Sequence, residues 1–165
     1  MAEIKLKGNT IHTSGELPKV GSTAPDFRLT DGKLADHSLK DFAGKKKILN
    51  IVPSLDTATC SLSAKKFNEA ISKFQNAVVL VISADLPFAQ KRVCEAEKYT
   101  NIITLSMLRS RDFAKAYGVL IQDGPLEGLC ARAVVVLDEN NKVLYTEQVP
   151  EITQEPDYVK ALAAL

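Results

Sequence analysis

The sequence predicts an α/β fold: a central mixed β-sheet flanked by helices, with a β-hairpin added at the N-terminus. Three observations carry that expectation. Two continuous apolar runs, Ile48–Val52 and Ala77–Ser83, read as strands covered on both faces. The segments after them, from Cys60 and from Phe88, place apolar residues at helical spacing, so strands and helices alternate as crossover units do. Near the C-terminus, Arg132–Asp138 and Val143–Val149 flank the turn residues Glu139-Asn-Asn141 and read as an antiparallel hairpin.

Taken in order, Ile4–Lys7 and Thr10–Thr13 are expected to pair across Gly8-Asn9. Residues 1–17 thus form a hairpin extension of what reads as a single domain over 1–165. Pro18–Pro25 is turn-rich, and Phe27–Leu29 is a candidate short strand. Asp41–Gly44 with Lys45–Lys47 is expected to be a polar turn whose lysines face water. Ala64, Phe67, Ile71 and Phe74 set the apolar stripe of the first long helix. Phe88–Tyr99 follows as a helix with the stripe Ala89, Val93 and Ala96, then Ile102–Leu105 as a strand and Arg111–Tyr117 as a helix ended by Gly118. Pro156–Leu165 supplies a last helix, with Pro156 tolerated in its first turn. Right-handed crossovers bring the ends of successive strands, and Cys60, to one edge of the sheet. The order of elements matches a thioredoxin-like fold.

Composition narrows the function classes. The 165 residues are 45% hydrophobic and 25% charged, with a formal net charge of +1, so no basic excess suggests a nucleic-acid surface. Met1–Gly8 alternates charged and apolar residues, with no hydrophobic signal core. No run approaches the ~18 apolar residues that would span a bilayer. A cytoplasmic protein without membrane contact is expected. The three cysteines, Cys60, Cys94 and Cys130, are too few for a disulfide scaffold, and none forms a C-x-x-C. The two histidines, His12 and His37, lie far from them, so no metal site is expected.

The chemistry centres on Pro53-Ser-Leu-Asp-Thr57-Ala-Thr-Cys60. A proline ends the strand, cap-forming residues follow, and Cys60 falls in the first turn of a helix. Unpaired N–H groups and the helix dipole favour an anion there, so the position suits a thiolate. A free cysteine is a few per cent thiolate at pH 7, so full ionisation raises the nucleophile only about thirtyfold. Larger acceleration needs hydrogen-bond donors at the transition state, and Thr57 is the first candidate. The plainer alternative makes Thr57 only the helix cap and Cys60 a small buried hydrophobe.

Cys94 lies at the border of its helix's apolar stripe, beside Lys91, Glu95 and Lys98, where a thiol can be reached. Closing a loop from Cys60 to Cys94 is worth about 3–4 kcal/mol on the chain-entropy model. Two cysteines on separate helices rarely bring their Cα atoms within the ~7 Å a disulfide needs, so such a bond implies local rearrangement. Arg132 heads an apolar strand and needs an anionic partner, which a thiolate at the neighbouring strand end would supply. The alternative is an arginine at the rim, facing water or a carboxylate. Cys130, two residues earlier, would share a face with Arg132 in a regular strand; it reads as a packing residue, with a stray reactive thiol as the other possibility.

These residues resemble the peroxiredoxins, whose signature is Pro53-x-x-x-Thr57-x-x-Cys60 with a later arginine, and resemble most closely the atypical two-cysteine thiol peroxidases of bacteria. The stretches that carry it are Gly21-Ser-Thr-Ala-Pro-Asp-Phe27, Leu49 to Cys60, Ile82-Ser-Ala-Asp-Leu-Pro-Phe-Ala-Gln-Lys-Arg-Val-Cys94, Asp123-Gly-Pro-Leu-Glu-Gly128 and Ala131 to Asn140. The resemblance implies that Cys60 is the peroxidatic cysteine, oxidised to a sulfenic acid by hydrogen peroxide or an organic hydroperoxide. It implies that Cys94 resolves it as an intramolecular disulfide. Thr57 and Arg132 would hold the peroxide oxygens, and Pro53 would shield the sulfenate. Thioredoxin as reductant, a homodimer and no metal or organic cofactor also follow from it. Cys130 departs from the family pattern, where a small residue is usual. The main alternative is a redox sensor using the same Cys60–Cys94 switch without bulk turnover. A thioredoxin-type electron carrier would need the absent C-x-x-C.

Overall fold

The computed structural model describes residues 1–165 and places seven strands in one mixed sheet, ordered β4-β3-β7-β6-β5-β8-β9. Its centre is parallel: β5 (Lys46–Ile51), β6 (Ala77–Ser83) and β7 (Ile102–Ser106) run together, joined by α1 (Ala58–Ile71) and α2 (Pro87–Glu97). The short β3 (Leu29–Thr30) and β4 (Asp36–His37) close one side. The antiparallel pair β8 (Ala133–Leu137) and β9 (Val143–Gln148) closes the other, β8 lying against β5. The short α3 (Asp112–Ala116) and α4 (Tyr158–Ala163) complete the chain. The N-terminal hairpin, β1 (Glu3–Leu6) and β2 (Asn9–His12), forms a separate two-stranded sheet. Its turn residues, Lys7 (φ 50°) and Gly8 (φ 84°), both take the left-handed conformation that tight hairpins use.

Alternation along the central strands divides the interior into two cores. Ile48, Val79, Val81, Val134 and Val136 face α1 and α4, packing on Ala64, Phe67 and Ile71. Leu49, Ile51, Leu80, Ile82, Val135 and Leu137 face the other way, towards α3 and the hairpin residues Ile4 and Ile11. The expected architecture, thioredoxin-like with an added hairpin, is the one observed. No helix is long and apolar enough to cross a membrane.

Four local expectations are corrected. Lys47 does not face water: it is 0% exposed, and its ammonium donates to Asn141 Oδ1 at 2.5 Å. Phe74 lies beyond α1, which ends at Ile71, and is 37% exposed. On α2 the buried residues are Pro87 and Gln90, while Ala96 is exposed. Cys94, one turn after Gln90, therefore continues the inner line instead of marking its border, and is half-buried. Cys130 does not share a face with Arg132, because β8 begins only at Ala133 and Cys130 sits in an isolated bridge with Leu120. It packs in the opposite core from Cys60.

Candidate active site

The site forms where β5 ends. The Val52 N–H still bonds Ile82 O at 3.0 Å, and the buried Pro53 then ends the pairing. Ser54–Thr57 turns the chain into α1: the Ser54 carbonyl accepts from the Thr57 N–H at 3.3 Å and from its hydroxyl at 3.1 Å. Thr57 is the N-cap, its Oγ1 accepting from the Cys60 N–H at 3.4 Å. The cap reading is thus correct, and it sets the hydroxyl one turn before the sulfur. Cys60 is 0% exposed, buried against the core side of α1.

Arg132 reaches the sulfur from across the sheet. It directly precedes β8, and alternation with Val134 and Val136 puts its side chain on the α1 face. Its Nη2 donates to Cys60 Sγ at 3.3 Å, and its Nε donates to Ile152 O at 2.8 Å. At 2% exposure it is not an arginine of the rim, and it rests on no carboxylate. The remaining nitrogen, Nη1, is buried without a partner. A buried guanidinium with an open donor is costly unless an anion or a polar ligand completes it. The guanidinium and the helix N-terminus both stabilise negative charge on the neighbouring sulfur.

A pocket of about 510 Å³ opens onto this group, with Pro53, Thr57 and Arg132 among its lining. Its walls are apolar: Leu6 and Ile11 from the hairpin, Leu126 and Leu129 from the loop after Gly124, and Ile152. Sequence reasoning missed these walls, which come from distant segments tied together by polar contacts. Glu151 accepts from the Lys7 and Gly8 N–H groups at 2.8 and 3.1 Å. Asp123 holds His12 Nδ1 at 2.6 Å and the His12 N–H at 2.7 Å.

Cys94 is not brought to Cys60. All three thiols are free. The face of α2 that lines the cleft towards α1 carries Arg92, Val93 and Ala96. Cys94 lies instead beside Lys98, Ile102 and Thr104, towards β7. Burial pushes its thiol up from the ordinary range, with Glu95 adding to the effect and a hydrogen bond to Thr104 opposing it.

Cys130 lies outside the site, its thiol 3.6 Å from Met107 Sδ and pushed up to about 12 by burial. Its burial and its raised thiol favour the packing reading over the stray thiol. In native protein at pH 8, iodoacetamide is therefore expected to leave Cys130 unmodified while labelling it fully in urea. Labelling of the two states at equal rates would contradict its burial.

The Redoxin family model matches residues 19–162. A thiol peroxidase of Leptospira interrogans serovar copenhageni is 51% identical over 166 aligned residues, spanning 99% of this chain and 97% of its own. Among solved structures, a peroxiredoxin-like protein from Aquifex aeolicus superposes with a TM-score of 0.92 at 40% identity, covering 100% of this chain and 98% of its own. A thiol peroxidase from Chromobacterium violaceum gives a TM-score of 0.91 at 27% identity, covering 98% and 93%.

Proposed function

The chain belongs to the Redoxin family as a peroxiredoxin-type thiol peroxidase, and from that premise we propose that Cys60 reduces hydrogen peroxide and organic hydroperoxides and that Cys94 resolves the product. The observation that carries this reading is the pairing of Arg132 Nη2 with Cys60 Sγ while Nη1 is buried without a partner and Arg132 lines the pocket. One nitrogen favours the thiolate, and the other is left to hold a peroxide oxygen.

In the first step the thiolate attacks one peroxide oxygen. The S–O bond forms as the O–O bond breaks, the sulfur is oxidised to a sulfenic acid, and the leaving alkoxide or hydroxide departs as alcohol or water after taking a proton. Arg132 stabilises the charge moving onto that oxygen. The Thr57 oxygen keeps a lone pair that can accept from the peroxide O–H. Because Cys60 is 0% exposed, attack requires the pocket floor to part enough for an oxygen to touch the sulfur, and Pro53 limits how far water follows. The apolar walls suit the organic part of an alkyl hydroperoxide. In the second step the Cys94 thiolate attacks the sulfenic sulfur, an S–S bond forms, and hydroxide leaves as water. An external dithiol then reduces the disulfide. The family resemblance supports thioredoxin as that dithiol, a homodimer as the working assembly and the cytoplasm as the compartment.

The test separates the steps. Cys94→Ser is expected to consume one equivalent of peroxide and then stall with thioredoxin, its reductase and NADPH. Continued cycling would remove Cys94 from the resolving role. In the parent protein, the raised Cys94 thiol is protonated at neutral pH and its thiolate fraction grows as pH rises. Disulfide formation after a peroxide pulse should therefore accelerate from pH 7 upward and go on rising above the ordinary cysteine range, read by acid quench and mass spectrometry. A flat profile would show that proton loss from Cys94 does not limit resolution.

A further inference from the structure

A polar network beside the site converges on the carboxylate of Asp85, in the turn between β6 and α2. Its Oδ1 accepts from the Ser54 hydroxyl at 2.7 Å. Its Oδ2 accepts from the Leu55 N–H at 2.8 Å and the Ser83 hydroxyl at 2.7 Å. Behind it, Gln90 Nε2 donates to Ser83 Oγ and to Leu105 O, both at 3.0 Å. The Ser106 hydroxyl donates to the Asp85 carbonyl oxygen. Ser83, Gln90 and Ser106 are fully buried. Elements β6, α2 and β7 thus fix the carboxylate, and the carboxylate fixes the loop before α1.

That loop is the one that sets the sulfur. Ser54 and Leu55 lie between Pro53 and Thr57, and the Ser54 carbonyl accepts the Thr57 hydroxyl, whose oxygen accepts the Cys60 N–H. A run of hydrogen bonds therefore leads from the start of the Cys94 helix to the backbone of Cys60. Cys60 is sealed in, and Cys94 faces β7, so a bond between them requires one end of this arrangement to come loose.

We propose that Asp85 is a positioning residue: it latches the loop before Cys60 into the arrangement that faces Arg132, and its release lets Cys60 move towards Cys94. The proposal rests on the roles assigned above to those two thiols. With the latch closed, Thr57 and Arg132 stay aligned on the sulfur, which favours the peroxide step. With it open, the first turn of α1 is free to unwind, which favours the disulfide step.

Two variants test this. Asp85→Asn keeps the shape but puts an amide where two carboxylate oxygens now meet only donors, so one donor loses its acceptor. Ser54→Ala removes one of the two loop-side donors to the carboxylate and leaves the Leu55 N–H, Ser83, Gln90 and Ser106 in place. In reduced protein, amide exchange of residues 54–60 should quicken about tenfold or more in both variants, while residues 77–83 exchange as in the parent. In single turnover, peroxide consumption should slow about tenfold and the following disulfide formation should quicken several-fold. Exchange at 54–60 equal to the parent, or a matching rise at 77–83, would overturn the latch, as would a proportional fall in both chemical steps. Should the parent form no Cys60–Cys94 disulfide, the roles of the thiols fail separately, and the exchange measurement still decides whether Asp85 holds the loop.

Discussion

Cys60→Ser is expected to lose peroxide turnover by at least about 10³-fold while keeping its fold. The loss is chemical. A serine hydroxyl is not ionised at neutral pH even beside Arg132, and its oxygen cannot be carried to a state that water or a thiol later reverses. The fold survives because the exchange removes little volume, and the new hydroxyl still accepts from Arg132 Nη2, so no buried donor is newly orphaned. Thermal unfolding should shift by no more than a few degrees. Activity in the thioredoxin-coupled assay and the melting temperature together decide the matter. Retained turnover at normal stability would mean that another thiol carries the reaction, whereas lost turnover with a collapsed melting temperature would show only that the substitution unfolds the chain.

How far the sequence led can be judged at particular residues. β6 emerges at the expected bounds, Ala77–Ser83, because a strand buried on both faces writes itself as an unbroken apolar run. The helix at Cys60 was legible from its cap and from Ala64, Phe67 and Ile71, since both signals are local. Arg132 was legible for the opposite reason: an arginine heading an apolar strand demands a partner, and a thiolate nearby could be one. The misreadings share a physical origin in contacts far apart along the chain. Gln90 is polar, yet it is fully buried, its amide nitrogen donating to Ser83 and Leu105, and that turns the inner line of α2 onto Cys94. Lys47 is buried because Asn141, at the distant β8–β9 turn, receives its ammonium. Cys130 changes face because its backbone bridges Leu120 instead of extending β8. Asp85 carried only a faint signal, an acidic residue after a strand and before a proline-started helix, which most often means nothing more than a turn.

The geometry bears on the proposed disulfide. Cys60 is tied to Arg132, and Cys94 is turned towards Thr104, so the reduced protein keeps its two thiols in different surroundings. A disulfide that formed without movement would be a staple, present before any peroxide arrived. On the roles proposed for the two thiols, this separation would make the disulfide conditional on oxidation of Cys60 and on local opening, and a sulfenate at Cys60 would be captured by Cys94 or oxidised further.

Arg132→Ala should cost about 10²–10³ in kcat/KM for peroxide, or about 2.7–4 kcal/mol in transition-state stabilisation, the usual scale for losing one donor aimed at developing charge. Two contributions combine in that figure. The charge beside the sulfur disappears, so Cys60 alkylation at neutral pH should slow. The donor left open at Nη1 disappears as well, so the leaving oxygen loses its stabilisation even where the thiolate is fully formed. Dividing each variant's peroxide rate by its own Cys60 alkylation rate isolates this second contribution. Arg132→Lys separates the two by another route, because an ammonium keeps the charge but cannot serve Ile152 O and the sulfur with the geometry of a planar fork. It should restore most of the alkylation rate and only part of the peroxide rate. If the lysine variant matched the parent in both, Arg132 would act through its charge alone. If the alanine variant left the alkylation rate unmoved, the 3.3 Å contact with Cys60 would have no bearing on the reactivity of the sulfur.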